Sequence, residues 1–330
     1  MTGLLGWGAA TEAIGSCDLL LMLGTDFPYR AFLPPDKTII QVDEKPSYLG
    51  RRASINLGLV GDVGETVSAL LPQLRKRDDR DFLDHMIRHH AKKVEKLQTY
   101  ATHQGSGEGL RPEMVAAALS ELAQDDAVFT IDTGMCNVWG ARYIQMKPGR
   151  RLIGSFGHGS MANSMPQAIG AKNGAPNRQV IALCGDGGFS MLMGELLTVS
   201  GFNIPVKLMV FNNSTLGMVR AEMLVSGYVP YGKDVKNPDF EAVATAAGIH
   251  GERVTESDDI RPAIERALSH DGPALIDFVT DPRALAMPPK ATIKEAAGFA
   301  LASTKAIFSG DGAEIWEQAR SNIRDLRQLI

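Results

Sequence analysis

CGDGGFSMLMGELLTVSGFNIPVKLMVFNNSTLGMVR, residues 184–220, decides how the rest of the chain is read. A short apolar run, residues 179–184 (QVIALC), ends at Gly185-Asp186-Gly187-Gly188. A second, residues 206–211 (VKLMVF), ends at Asn212-Asn213-Ser214. Between them, residues 191–199 (MLMGELLTV) carry apolar side chains at helical spacing. The pattern is a β-α-β unit, whose strands run parallel with both carboxyl ends on one edge of a sheet. Ligands of open α/β sheets bind at that edge, so Asp186 and Asn213 are expected to face one small volume. A hard cation such as Mg²⁺ takes a carboxylate oxygen, an amide oxygen, a backbone carbonyl and phosphate oxygens. Gly187 and Gly188 leave room for backbone N–H groups to approach a phosphate. Taken singly, each segment reads more readily as a ligand-free turn. The pair, at the ends of neighbouring strands, favours a metal–diphosphate site.

The chain has 330 residues, long for one domain and suited to two. Hydrophobic residues make up 44% and charged residues 22%, an ordinary globular balance. A net charge of −4 without a basic block argues against a nucleic-acid surface. The three cysteines, Cys17, Cys136 and Cys184, are far apart and read as buried free thiols in a reducing compartment. No stretch resembles a signal peptide or a transmembrane helix, so a cytoplasmic location is expected.

Taken in order, residues 1–71 place strands at 19–23, 38–42 and 57–60, ending at Gly24-Thr25-Asp26, Asp43 and Gly61-Asp62. Acidic residues after such strands commonly meet a ribose hydroxyl, so this unit reads as part of a nucleotide-binding α/β domain. Residues 72–112 are a charged, mostly helical connector. His85 and His89 share a helical face there, with no third metal ligand in sight. Residues 113–283 alternate strand and helix through 127–131, 138–146, 152–154, a glycine-rich loop at 156–164, a helix at 166–172, the central unit, and on to a strand at 274–279. That order predicts a doubly wound parallel sheet. The fold class is therefore α/β, with two doubly wound parallel-sheet domains. Residues 284–330 form a helical tail. Ile315, Trp316, Ala319, Ile323, Leu326 and Ile330 lie at helical spacing, flanked by Arg320, Arg324 and Arg327. Such a helix packs on its own protein or a sister subunit; the sharper reading is a lipid surface.

The Gly-Asp-Gly turn followed by the Asn pair resembles the signature of thiamine diphosphate enzymes. Four longer segments carry a closer resemblance: SFGHGSMANSMPQAIGA (155–171), the 184–199 stretch, FNNSTLGMV (211–219) and LGTDFPYRAF (23–32). These, with the tail pattern AMPPK, AAGF and AIFSGDG (286–312), are similar to the ubiquinone-dependent pyruvate dehydrogenases, or bacterial pyruvate oxidases.

That resemblance implies that Asp186, Asn213 and the Thr215 carbonyl ligate Mg²⁺. Gly185, Gly187 and Gly188 would hold the diphosphate of thiamine diphosphate, with Ser214, Leu216 and Gly217 beside them. Gly159, Ser160 and Met161 would line the aminopyrimidine, and Met161 would bend the cofactor. His158 is the candidate for substrate contact or proton transfer, and Met218, with Leu216, for excluding water. In the first unit, Met1, Thr2, Gly3, Leu4, Gly24, Thr25, Asp26, Phe27, Pro28 and Asp43 would contact FAD. The implied reaction is oxidative decarboxylation of pyruvate to acetate and CO₂. Electrons would pass through FAD to a membrane ubiquinone, in a homo-oligomer (a tetramer in that family) peripheral on the inner face of the membrane. An acetolactate synthase-like 2-oxo acid lyase is the alternative, and a non-catalytic cofactor-binding module a third.

Two departures qualify the resemblance. Met218 stands where a close relative would carry an aromatic residue. The family also carries a pyrimidine-binding domain with a glutamate that activates the cofactor, and no segment of residues 1–330 resembles it. The expectation is a chain that anchors the cofactor but depends on a glutamate supplied from elsewhere.

Overall fold

Two parallel sheets carry the chain, and the apolar pattern of each strand explains where it sits. In the computed structural model the described residues are 3, 5–102, 108–284 and 301–302. The tail helices expected at 293–308 and 314–330 lie outside them, apart from Leu301 and Ala302, which are helical. The chain divides into two compact units, with the boundary at residues 96 and 97.

The first unit opens with helix α1 (Ala10–Ser16) and strand β1 (Leu19–Leu23), followed by β2 (Thr38–Asp43), β3 (Leu57–Val60) and α2 (Val63–Leu70). Helix α3 (Asp81–Ala101) runs across the boundary. The strands form a three-stranded parallel sheet in the order β1-β2-β3. Asp62, expected as a strand-end acid, caps α2 instead: its carboxylate accepts from Glu65 N at 2.8 Å. Register places Leu19, Leu21 and Leu23 on one face with Ile40, Val42, Leu57 and Leu59. The opposite face buries Met22, Ile39 and Gln41. Parallel sheets are normally covered on both sides, yet the five leucines of the first face keep 38–48% of their surface exposed.

In the second unit come α4 (Pro112–Leu122), β4 (Val128–Ile131), α5 (Met135–Tyr143), β5 (Arg151–Gly154), α6 (Ser164–Gly174) and β6 (Val180–Gly185). Then follow α7 (Asp186–Met191), α8 (Leu196–Gly201), β7 (Lys207–Asn212), α9 (Gly217–Val225), α10 (Phe240–Ala246), β8 (His250–Val254), α11 (Ile260–Ser269) and β9 (Ala274–Val279). All six strands are parallel, in the order β5-β4-β6-β7-β9-β8. Alternate residues feed two cores. Ile181, Leu183, Met209, Phe211, Ile276 and Phe278 pack on one face, while Val180, Ala182, Cys184, Leu208, Val210 and Leu275 pack on the other. That double burial is why these strands read as continuous apolar runs.

Two local expectations are corrected. The helix expected over 191–199 is broken: α7 ends at Met191, a single 3₁₀ turn spans Met193–Glu195, and α8 begins at Leu196. Gly194 sits in that turn, and the apolar residues divide, with Leu196 and Val199 buried and Met191 and Leu197 exposed. Helix α9 was not anticipated, because Gly217 at its start reads as a turn residue.

The open leucine face makes a direct prediction. Replacing Leu21 and Leu59 together by threonine will change stability by less than about 1 kcal/mol and will reduce binding of an apolar fluorescent dye. Replacing Ile39, which is 1% exposed, by alanine will cost about 2–5 kcal/mol in urea unfolding. Equal losses would show that the leucine face is covered in solution.

Candidate functional site

The sheet order places the functional crevice. Strand β4 is followed by β5 on one side, and the chain then crosses to β6 on the other. The carboxyl ends of β4 and β6 therefore flank a topological switch point, where open α/β sheets take their ligands. A cavity of about 260 Å³ lies there. Its wall includes Thr133 and Gly134 after β4, Gly185–Gly188 after β6, Asn213 and Thr215–Met218 after β7, and Thr280 and Asp281 after β9.

Asp186 organises this edge. It is 4% exposed, and its carboxylate joins the ends of β6 and β7. Oδ1 accepts from Gly187 N at 2.8 Å, and Oδ2 accepts from Ser214 N at 2.6 Å and from Asn237 Nδ2 at 2.8 Å. Burial raises its pKa above the ordinary carboxylate value, against the pull of these donors. Asn237 also donates to Asn212 Oδ1 at 2.9 Å, and Asn212 donates to Asp277 Oδ1 at 2.9 Å. Asp277 is in turn paired with Arg253 at 3.0 Å. The first asparagine of the pair is thus a structural tie, while Asn213 stands on the cavity wall and accepts from Thr215 N at 3.1 Å. A carboxylate, an amide oxygen and a strand-end carbonyl around one small cavity are the donor set of a hard divalent cation. Asn237 Oδ1 is buried without a hydrogen-bond partner among the described residues, which leaves an acceptor for a water or ligand group beside them.

A second buried carboxylate holds the opposite wall. Asp132, 1% exposed, follows β4. Its Oδ1 accepts from Ser164 N at 2.9 Å, and nearby backbone N–H groups of Asn163 and Gly185 act with that bond to lower its pKa. Burial outweighs these donors and pushes its pKa up to about 6. The fit is tight: a Cβ at Gly188 would fall 2.5 Å from Asp132 Oδ2, so only glycine serves there. Backbone strain gathers on the two walls. Only three described non-glycine residues have positive φ, and two of them, Ala162 (63°) and Ser214 (53°), flank the cavity.

The structure brings most of the expected cofactor residues together and leaves some apart. Gly159, Met161, Gly185, Asp186, Gly187, Gly188, Asn213, Thr215, Leu216, Gly217 and Met218 share the one cavity. Ser160 does not line it; its hydroxyl bonds Ser155 Oγ at 2.6 Å. Ser214 contributes its backbone N–H to Asp186 rather than a wall surface. His158 is exposed on the glycine-rich loop and is not part of the cavity wall, because the loop turns outward before Gly159 (φ 66°) re-enters.

In the first unit, Met1, Thr2 and Leu4 lie outside the described residues. Gly3 packs near the Phe27 ring, and Phe27, Tyr29 and Phe32 form an edge-to-face cluster. Gly24 takes a left-handed turn (φ 58°) after β1. Thr25 and Pro28 lie in the irregular segment that follows it. Asp26 is held by Arg52 at 2.9 Å and Arg51 at 3.2 Å, which lowers its pKa. Asp43 is buried and accepts from Lys45 N at 2.9 Å. Two of the acids expected at flavin are thus engaged within the protein. Among the described residues no group of three or more His, Cys, Asp or Glu could hold a metal, so His85 and His89 gain no third ligand.

Sequence reasoning passed over Asp132, Asn237 and Trp139. Asp132-Thr133-Gly134 after a strand was the available signal for the first. Asn237 follows the loop after α9 and had none.

Comparison with known proteins gives the family. Residues 132–278 match the thiamine pyrophosphate enzyme C-terminal TPP-binding domain, and residues 1–70 match the thiamine pyrophosphate enzyme central domain. The chain belongs to the thiamine pyrophosphate enzymes. It is 37% identical over 319 residues to the putative thiamine pyrophosphate-containing protein YdaP of Bacillus subtilis, covering 95% of this chain and 54% of that protein. It is 30% identical over 288 residues to the acetolactate synthase isozyme 2 large subunit of Escherichia coli, covering 85% and 51%. It is 31% identical over 309 residues to a probable acetolactate synthase large subunit of Methanocaldococcus jannaschii, covering 88% and 51%. The chain thus spans about half the length of these relatives. They correct the expected emphasis: acetolactate synthases stand among them, and the pyruvate:quinone assignment, with its FAD, quinone and membrane, gains no support. Among the described residues no helix is long and apolar enough to cross a membrane.

The buried carboxylates set a pH dependence. A carboxyl whose pKa is raised on folding binds its proton more tightly in the native state. Its stabilising contribution is complete below about pH 4 and is lost as pH rises through about 6. For Asp132 the swing is roughly 3 kcal/mol between pH 4 and pH 7. In cofactor-free protein, the urea midpoint of the wild type relative to Asp132→Asn will therefore fall across that range. A constant difference would contradict the burial argument.

Proposed function

We propose that this chain supplies the diphosphate- and metal-binding half of a thiamine diphosphate enzyme acting on a 2-oxo acid, with acetolactate synthase-type chemistry as the first reading. The observation that carries it is the convergence of Asp186, Asn213 and the Gly187-Gly188 turn on one cavity at the switch point. Asp186, the Asn213 side chain and the Thr215 carbonyl would hold Mg²⁺. Gly188 would present its backbone N–H to the diphosphate, and Gly187, whose own N–H is taken by Asp186, would leave it room, since a side chain at either would collide with its neighbours. Met161 and Leu216 close over Gly187, with Met161 Cε 3.4 Å and Leu216 Cδ2 2.9 Å from the position a Cβ would take there. They would form the apolar support that orients the bound cofactor, and Met218 would help exclude water from it. Bound thiamine diphosphate supplies the electron sink for loss of CO₂ from a 2-oxo acid. The protein contributes position, a dry wall and a fixed metal.

The acetolactate reading rests on the named relatives. The pyruvate oxidase reading rests on the resemblance of residues 23–32 and the tail, with FAD placed at Gly24–Pro28 and Asp43. Both invoke further polypeptide carrying the activating glutamate.

Titration with thiamine diphosphate, followed through tryptophan fluorescence because Trp139 lines the cavity, will show binding that requires Mg²⁺. Asp186→Ala will weaken it at least tenfold, about 1.4 kcal/mol or more. Metal-independent binding, or none, would overturn the proposal. In an assembly completed with a pyrimidine-binding domain, pyruvate will give acetolactate while any flavin stays oxidised. Flavin reduction with acetate release would establish the oxidase reading instead.

A further inference from the structure

The cavity has two walls of different construction. The turn Gly185–Gly188 continues β6, whose ladder reaches Gly185 opposite Phe211. The sheet fixes that turn. The Met161 wall has no such support. It belongs to residues 155–163, between β5 and α6, and passes through the left-handed Ala162 before helix α6 begins. Its contacts within the loop are Gly159 N on Ser155 O at 2.7 Å, the Ser155–Ser160 hydroxyl pair with Ser160 N on Ser155 Oγ at 3.2 Å, and the Asn163 side chain on Ser160 O at 2.6 Å. At its end Ser164 is held to Thr130 of β4 at 2.8 and 3.0 Å, and Asp132 adds a tie that also reaches the other wall. Its Oδ1 accepts from Ser164 N at 2.9 Å, two residues after the strained Ala162, and its Oδ2 lies against Gly188 of the diphosphate turn. No salt bridge to Asp132 occurs among the described residues. The Ser164 N–H on one oxygen and the Gly188 backbone against the other place the carboxylate between the two walls. A Cβ at Gly188 would fall 2.5 Å from Oδ2 and 3.1 Å from Ala162 N.

We propose that Asp132 is a positioning residue that locks the Met161 loop onto the diphosphate turn, so that both walls of the cavity stand in place before thiamine diphosphate binds. The proposal rests on the reading of the cavity as a thiamine diphosphate site. It makes a demand that a merely structural carboxylate would not. An isosteric amide has one acceptor end and one donor end, so it cannot offer an oxygen both to the Ser164 N–H and to the Gly188 side of the crevice. The loop wall should loosen while the turn, held by the sheet, keeps its shape. A ligand that touches both walls will then suffer, and one that touches only the turn will not.

The test compares wild-type protein and Asp132→Asn with two probes, thiamine diphosphate and inorganic diphosphate, each with Mg²⁺. The expected result is at least a tenfold weaker dissociation constant for thiamine diphosphate and less than a threefold change for inorganic diphosphate. Equal losses for both probes, or no loss for either, would overturn the proposal. Amide hydrogen exchange of cofactor-free wild-type protein gives a second readout that does not depend on the variant folding. The Ser164 amide will be protected well beyond those of Gly157 and His158 in the preceding loop. Exchange as fast as at those exposed positions would also overturn it. If the wild type bound no thiamine diphosphate, the functional reading would fall, while the exchange result would still report on Asp132.

Discussion

The carboxylate of Asp186 is the constraint on which this molecule's site depends. It reaches from the end of one central strand to the backbone of the next, taking Gly187 N on its own side and Ser214 N on the other. Two parallel strands fix only the direction of their ends; the loops that leave them diverge. A buried acceptor shared by both loops makes them one surface. Ser214 can hold a left-handed conformation because its N–H is claimed at 2.6 Å. Asn237 extends the tie to Asn212, and Asp277 and Arg253 anchor that in turn.

A carboxylate in a buried crevice is unfavourable for folding unless donors surround it. Here the donors are almost all backbone N–H groups, set by loop geometry rather than by long cationic side chains. The arrangement leaves the crevice with surplus negative charge and few mobile groups, the setting in which a divalent cation would be favoured. Asp132 follows the same rule on the other wall. Both acids have raised pKa values for one reason, burial, and both sit beside a non-glycine residue at positive φ. Strain and desolvation are concentrated at the site, while the two apolar cores that flank the large sheet carry the stability.

How much of this the sequence discloses depends on the range of the interactions. Strands β6 and β7 announce themselves because both faces are buried, which turns them into unbroken apolar runs ending at glycine or asparagine. Their parallel pairing then puts Asp186 and Asn213 at one edge, so the metal–diphosphate reading is visible from residue types alone. Asp132 was legible only as a strand end; its partners lie 32 positions away at Ser164, and no local pattern carries that. Asn237 was invisible for the same reason. The break in the 191–199 helix was missed because apolar spacing cannot tell one helix from two short ones with Gly194 between them. His158 was drawn toward the site by its neighbours in the loop, whereas the backbone turns it to solvent.

The central claim is that the two strand ends form a single cation–diphosphate cradle. Diffraction from crystals grown with thiamine diphosphate and Mn²⁺ in place of Mg²⁺ tests it most directly, because the anomalous signal locates the metal independently of the protein. The account predicts one peak in the cavity, about 2.0–2.3 Å from an Asp186 carboxylate oxygen, Asn213 Oδ1 and the Thr215 carbonyl oxygen. A peak elsewhere, or diphosphate bound with Asp186 and Asn213 still facing only their backbone partners, would contradict it.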